Sequence, residues 1–269
     1  MPELPEVETV ARSVKKHLID NCFESIVVNW KKTPHNFTEA EFNNKVKGLP
    51  IRDVYRRGKY ILIDFGSNLI AVHLRMTGKL YASESIDKKN KHISVYLPFG
   101  NKYLVFEDVR KFGRFYLFKD LDYLNSKLGI EPLSEGFTED WMLDGIKKRS
   151  RQMKSLLLDQ SFICGIGNIY ADEALWYAKI HPLSISSDIS RKKILRLREG
   201  IIKVLSESIE RGGTTIRDYT YDFSYVGNYA LKLKVFGRQG EQCPICNSII
   251  IKTKVAQRGT HYCPKCQKK

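Results

Sequence analysis

Two groups of residues in this 269-residue chain have the types and the spacing to do chemistry. The first is Cys243-Pro-Ile-Cys246 followed, after sixteen intervening residues, by Cys263-Pro-Lys-Cys266. Each pair can supply two thiolates from one tight turn, and two pairs complete a tetrahedral site for a structural Zn2+ ion. Two disulfides or a redox Cys-x-x-Cys would use the same residues. Zinc is the favoured reading in a reducing compartment, because so short a segment has too little core to fold without it. Between the pairs, Ile249, Ile250, Ile251 and Val255 precede Arg258-Gly259, which predicts a β-hairpin turning at that dipeptide. Cys22 and Cys164 fall outside the pattern and are expected to be ordinary buried thiols.

The second group is at the start of the chain. Removal of Met1 ahead of a small second residue would leave Pro2 with a free secondary amine, a nucleophile towards carbonyl carbon. An α-amino group titrates at about pH 8, so part of it is neutral and reactive in the cell. Glu3 and Glu6 stand beside it as possible proton carriers. From the residues alone, negative charge at a helix N-terminus accounts for both glutamates more simply.

Four further clusters suit a polyanion. Arg56-Arg57-Gly58-Lys59 lies between apolar runs, as either a phosphate-binding hairpin tip or a solvated turn. His73-Leu-Arg-Met76-Thr-Gly78 and Asp108-Val-Arg110-Lys-Phe112-Gly-Arg114 set an apolar side chain beside arginine and glycine. That pattern could wedge into a base stack, although a single Met or Phe more often belongs to a core. Gly165-Ile-Gly-Asn168 leads into a helix, where backbone N–H groups can bind an anion. Neither Rossmann nor Walker spacing is met there.

Composition agrees. The formal net charge is +15, and residues 232–269 hold nine basic side chains against the single acid Glu241. This points to nucleic acid or an anionic surface as partner. A hydrophobic fraction of 42% excludes a disordered chain, and no apolar run is long enough to span a membrane. The opening MPELPEVETV lacks the basic and apolar regions of a signal peptide, so a cytoplasmic setting is expected.

The elements that must position these groups are legible in outline. Val7, Val10, Val14 and Leu18 predict an amphipathic helix over 3–18. Apolar runs at Ile26–Trp30, Tyr60–Phe65, Leu69–Leu74, Ile93–Leu97, Tyr103–Phe106 and Phe115–Phe118 predict strands of an antiparallel sandwich or barrel. Thr138 predicts a helix N-cap with Phe137 and Met142 as its staple, and Asn168 predicts the cap of a helix running to about Lys179. Ile194, Leu197, Ile201, Leu205 and Ile209 predict a core stripe on a helix from Ser190 to Arg211. The fold class is α+β. The expected division is an N-terminal antiparallel β-sandwich with its helix over 1–130, a helical domain over 131–232 and a zinc-finger hairpin over 233–269.

Taken together, the motifs carry a resemblance. Met-Pro-Glu-Leu-Pro-Glu at 1–6, Arg-Arg-Gly-Lys-Tyr at 56–60, the segments at 73–78 and 108–113, Leu-Leu-Leu-Asp-Gln at 156–160, Gly-Ile-Gly-Asn-Ile-Tyr-Ala-Asp-Glu at 165–173 and the four-cysteine finger occur in one order. The chain resembles the bacterial formamidopyrimidine-DNA glycosylases over its whole length. Leu4 separates it from the related endonuclease VIII branch, whose enzymes remove oxidised pyrimidines. That branch is one alternative reading, and a non-catalytic zinc-finger DNA-binding protein is the other.

The resemblance implies a monomeric base-excision-repair enzyme that removes 8-oxoguanine and formamidopyrimidines from damaged double-stranded DNA and then cleaves the abasic site. It implies a β-sandwich and a helix–two-turn–helix domain with DNA between them, and a flipped-out lesion. Pro2 would attack C1′ and Glu3 would carry protons. Lys59 would serve β-elimination, and Arg258 would serve δ-elimination and phosphate binding. Met76, Arg110 and Phe112 would fill the space the base leaves, with Arg110 facing the orphaned cytosine. His73, His92, Arg149 and Asn168 would contact DNA. Cys243, Cys246, Cys263 and Cys266 would hold one Zn2+, and no other cofactor is implied. Two stretches depart from the family. Tyr219–Ala230 has Phe223 after Asp222, with Tyr229 late, and Asn247 replaces a glycine after the second cysteine, where the left-handed turn tolerates it.

Overall fold

The computed structural model describes residues 1–214 and 228–269. The altered segment at 219–230 falls outside these residues except for its last three. The chain divides into two compact units. One comprises Met1–Ser126 with the described residues 212–214, and the other comprises Lys127–Arg211 with Asn228–Lys269.

The first unit starts with α1 (Leu4–Leu18), whose Val7, Val10, Ala11, Val14 and Leu18 are buried. Pro5 sits in the first turn, where no N–H is needed, and Lys15, Lys16 and His17 complement the dipole at the other end. Then follow β1 (Val27–Val28), α2 (Glu39–Lys45), β2 (Asp53–Arg57), β3 (Tyr60–Asp64), β4 (Leu69–His73), β5 (Gly78–Ser83), β6 (Ile93–Phe99), β7 (Lys102–Asp108), β8 (Arg114–Phe118) and α3 (Asp122–Lys127). They form two antiparallel four-stranded sheets, β1-β6-β7-β5 and β2-β3-β4-β8. Ile61, Ile63, Ile70, Val72 and Phe115 of one sheet share a core with Leu80, Val95, Leu97, Leu104 and Phe106 of the other and with α1. This is the expected sandwich.

Two strands were not foreseen, β2 and β5. Both lie at sheet edges, where one face is solvated and the run carries polar residues. The expected strand Ile26–Trp30 shortens to Val27–Val28, because Asn29 and Trp30 both donate their N–H to the Ser94 carbonyl.

The second unit holds α4 (Glu139–Lys147), α5 (Met153–Leu158), α6 (Asn168–Ala178), α7 (Arg191–Glu210), and the antiparallel pair β9 (Ile251–Val255) and β10 (Arg258–Tyr262). Thr138 caps α4 by accepting from Trp141 N at 3.1 Å, and Ser190 caps α7. Phe137 and Met142 are fully buried, as a staple requires. On α7, Ile194, Leu197, Ile201 and Leu205 are fully buried. Ile209 is only half-buried, and the core position at that end belongs to Ser208, whose hydroxyl pairs with Tyr170 Oη at 2.6 Å.

Two further sequence expectations change. Asn168 is the first residue of α6 rather than its cap, which is Gly167. The hairpin turns at Ala256-Gln257, both left-handed with φ of 49° and 60°, and Arg258-Gly259 opens β10.

Candidate functional site

At the N-terminus, Pro2 and Glu3 are buried and Met1 is exposed. Glu3 is the N-cap of α1, in a reciprocal capping box with Glu6. The Glu6 carboxylate accepts from Glu3 N at 2.9 Å and from Thr214 N at 2.8 Å. The helix-terminal role of both carboxylates is therefore real. It also holds them rigidly beside the residue whose amine is of interest.

The basic cluster at 56–59 is not a solvated tip. Arg56 has an 8% exposed side chain that pairs with Glu8 of α1 at 3.0 Å and donates to Gly58 O at 3.1 Å. This ties α1 to the turn carrying Lys59, which is only 6% exposed. Tyr60 pairs with His73 in the β3–β4 register, and their rings meet edge-on at 4.7 Å. His73 is held neutral. Burial lowers its pKa from 6.5 to about 3, helped by the positive charges of Arg75 and Lys59. Its Nδ1 accepts from Arg75 N at 3.0 Å, so the proton sits on Nε2 and that nitrogen can donate. Lys59 and His73 are thus neighbours.

Met76 and Phe112 are 39% and 48% exposed, so neither belongs to the core. The Arg110 guanidinium lies 4.9 Å from the Phe112 ring centroid. His92 is half-buried, and its carbonyl accepts from Asp108 N at 2.9 Å. Asp108, to which sequence reasoning assigned no role, is buried in the midst of these residues.

In the second unit, Asn168 Nδ2 donates to Gly259 O at 2.9 Å, linking the start of α6 to the hairpin next to Arg258, whose side chain is exposed. The Gly165–Asn168 loop is stapled by Gln160, which donates to Ile166 O and accepts from Gly165 N, both at 2.9 Å. Asp172 pairs with the fully buried Lys154 and accepts from His261 N at 2.9 Å. Glu173 accepts from the N–H groups of Lys234, Val235 and Phe236, each at 2.9 Å. Burial nevertheless pushes its pKa up. Sequence reasoning missed both acids as anchors of the hairpin. The available signal was two adjacent acids inside an otherwise apolar helix. Arg149 stands apart, exposed, donating to Gly145 O at 2.7 Å and stacked on Phe162.

Cys243, Cys246, Cys263 and Cys266 bring their sulfurs within 4.8 Å of one another. Cys246 lies 3.4 Å from Cys263, and Cys243 lies 3.9 Å from Cys266. None is in a disulfide, and the four sulfurs form one cluster. Asn247 has φ 59°, the left-handed turn expected of it. The Ser248 N–H holds the Cys246 thiol down to about 6, while burial pushes Cys263 and Cys266 up. A dication stabilises all four thiolates together, so this donor set fits one zinc ion. The finger packs through Cys243, Ile250 and Cys263 against Trp176 and Val235. Of the two remaining cysteines, Cys164 is buried as expected and Cys22 is exposed, contrary to expectation.

Comparison with known proteins gives a consistent result. Residues 1–115 match the formamidopyrimidine-DNA glycosylase N-terminal domain. Residues 128–220 match the formamidopyrimidine-DNA glycosylase H2TH domain, and residues 240–269 match the zinc finger found in FPG and IleRS. The formamidopyrimidine-DNA glycosylase of Ligilactobacillus salivarius is 41% identical over 273 residues, covering 99% of each chain. A Lactococcus lactis FPG variant, crystallised with Fapy-dG-containing DNA, is similar with a TM-score of 0.93 and 36% identity over 100% of each chain. MutM in complex with carbocyclic 8-oxo-G-containing DNA is similar with a TM-score of 0.92 and 36% identity, again over 100% of each chain.

Proposed function

The chain belongs to the formamidopyrimidine-DNA glycosylase family, and from that premise we propose that it excises 8-oxoguanine and formamidopyrimidines from damaged duplex DNA and then cleaves the abasic site as a lyase. It is a bifunctional DNA glycosylase of base excision repair with one structural zinc ion. We assign three functional segments: 1–130 for catalysis, 131–232 for the helical DNA-binding domain and 233–269 for the finger. Its place of work is the bacterial cytoplasm, on the chromosome. No helix among the described residues is long and apolar enough to cross a membrane.

In this reading, Met1 is removed and the Pro2 nitrogen attacks C1′ of the lesion. The C1′–N bond breaks and the base leaves with the bonding electrons, taking up a proton. Glu3 carries protons for this step and for opening of the sugar, which leaves an iminium joining protein and DNA. The cationic iminium acidifies the neighbouring sugar C–H. Loss of that proton, assigned to Lys59, expels the 3′ phosphate, and a second elimination, assigned to Arg258, expels the 5′ phosphate. His73, His92, Arg149 and Asn168 are assigned to DNA contact, and Met76, Arg110 and Phe112 to the vacated space. Cys243, Cys246, Cys263 and Cys266 would hold zinc, which folds the hairpin that carries Arg258 and takes no part in the reaction.

One observation supports this reading most strongly. A proline one residue from the chain start is buried beside a capping box of two carboxylates, a firm mount for a nucleophilic amine. The test is borohydride trapping of the Met1-processed protein on 8-oxoguanine or formamidopyrimidine duplexes. A covalent adduct is expected, and its absence would overturn the reading. Pro2→Gly is expected to reduce turnover by about a hundredfold or more while DNA affinity stays within about threefold.

A further inference from the structure

We propose that Asp108 is the positioning residue for Met76, Arg110 and Phe112, holding the two loops that carry them as one unit. This rests on the DNA-repair reading above. Both loops pass through a left-handed residue other than glycine, Arg75 at φ 54° and Lys111 at φ 57°. Such turns persist only when their surroundings over-determine them. Both present an apolar side chain to solvent, Met76 and Phe112. Something buried must therefore hold them.

Asp108 supplies that hold. It ends β7 and is 1% exposed. Its Oδ1 accepts from Thr77 Oγ1 at 2.5 Å and from Arg110 N at 3.2 Å, and its Oδ2 accepts from Gly113 N at 2.7 Å. Thr77 Oγ1 also accepts from Arg110 N at 3.2 Å, which closes a ring between the loops. Through its own N–H, Asp108 reaches the His92 carbonyl, so a fourth assigned DNA contact depends on the same residue. Beneath lies the Phe106 ring. A Cβ at Gly78 would sit 2.8 Å from Phe106 Cζ, and one at Gly113 would sit 2.2 Å from it. Both loops are therefore pressed onto one floor.

Both carboxylate oxygens face donors, so only an acceptor at each position satisfies the site. Asparagine would turn an NH2 group towards an N–H or O–H. Filling the space of a displaced base needs three side chains to arrive together in one geometry, and loops locked in advance make that arrival fast.

The test uses the zinc-loaded full-length protein with Asp108→Asn, Thr77→Val and the conservative Thr77→Ser. It reads single-turnover excision of 8-oxoguanine opposite cytosine and opposite adenine, and lyase rate on a preformed abasic site. Asp108→Asn should lower excision opposite cytosine and narrow the cytosine-over-adenine preference about tenfold, the scale of one lost base-reading pair. The lyase rate should fall much less. Thr77→Val should narrow the preference about threefold, in line with one lost hydrogen bond, and Thr77→Ser should restore it. An equal fall in all three rates, or an unchanged preference, overturns the proposal. If Asp108→Asn does not melt cooperatively, Thr77→Val decides by the same ratio. If the wild-type protein forms no borohydride adduct, the glycosylase reading fails and this proposal with it. A trapping-competent wild type with unaltered variants sinks the proposal alone.

Discussion

Asp108 in the sandwich and Asp172 in the helical unit are both buried carboxylates that accept backbone N–H groups, yet they work over different spans of chain. Asp108 takes the N–H groups of Arg110 and Gly113, two and five residues away, and a hydroxyl from Thr77. No cation is needed, because the sheets already hold the loop ends and the carboxylate has only to lock the two loops to each other. Asp172 reaches His261, 89 residues away, and balances the buried ammonium of Lys154. Glu173 next to it gathers three N–H groups from 234–236. The hairpin has almost no core of its own, so it is held by charge, by these acceptors and by a metal site. A loop on a formed sheet needs one acceptor, whereas a distant, coreless hairpin needs several anchors.

The comparison can be tested from its largest effect downwards. Removing zinc, by chelation or by Cys263→Ser, should act on a scale of about 10 kcal/mol for the finger. Hydrogen exchange should then show lost protection over 240–269, with the sandwich strands keeping theirs. Equal loss in both would break the contrast. Next is Asp172→Ala, which removes the carboxylate that balances the buried Lys154 ammonium and should lower stability by about 3–5 kcal/mol. Calorimetry of the second unit's transition checks this. A change under about 1 kcal/mol would mean that the hairpin is anchored by Glu173 and zinc alone.

The third effect, the smallest at any one pH step, concerns His73 in the sandwich. Burial lowers its folded pKa from 6.5 to about 3, so the unfolded chain takes up the proton first. The stability from its neutral form is complete above 6.5 and is lost as pH falls towards 3. The slope should approach about 1.4 kcal/mol per pH unit in that window. His73→Asn should flatten this part of the pH–stability curve, and an unchanged slope would mean that His73 is not the buried neutral group.

Legibility followed the range of the interaction. Thr138, Ser190, the stripe of α7 and the face of α1 could be read because caps and helical periodicity act within a few residues. The cysteine ligand set could be read because two turns supply it. The strands β2 and β5 were missed because polar residues such as Arg57 and Lys79 interrupt their apolar runs. Asn168 looked like a cap because the residue type permits it, but its amide is used by Gly259 from the hairpin. The turn was assigned to Arg258-Gly259 on the strength of the glycine. Two left-handed residues, Ala256 and Gln257, make it instead.

By itself, the sequence determined which side chains have the types and spacing for the proposed chemistry: an amine at residue 2 with carboxylates beside it, four thiols in two turns, and basic and apolar side chains in glycine-bearing loops. Those are properties of residue type and short spacing. The tertiary structure decided which residues hold them. Arg56 turns inward to Glu8, Lys59 is buried and near a neutral His73, and Asp108, Asp172 and Glu173 act as anchors. The physical reason is that a buried charge is tolerated only where donors from distant segments converge on it, and that convergence exists only in the folded chain.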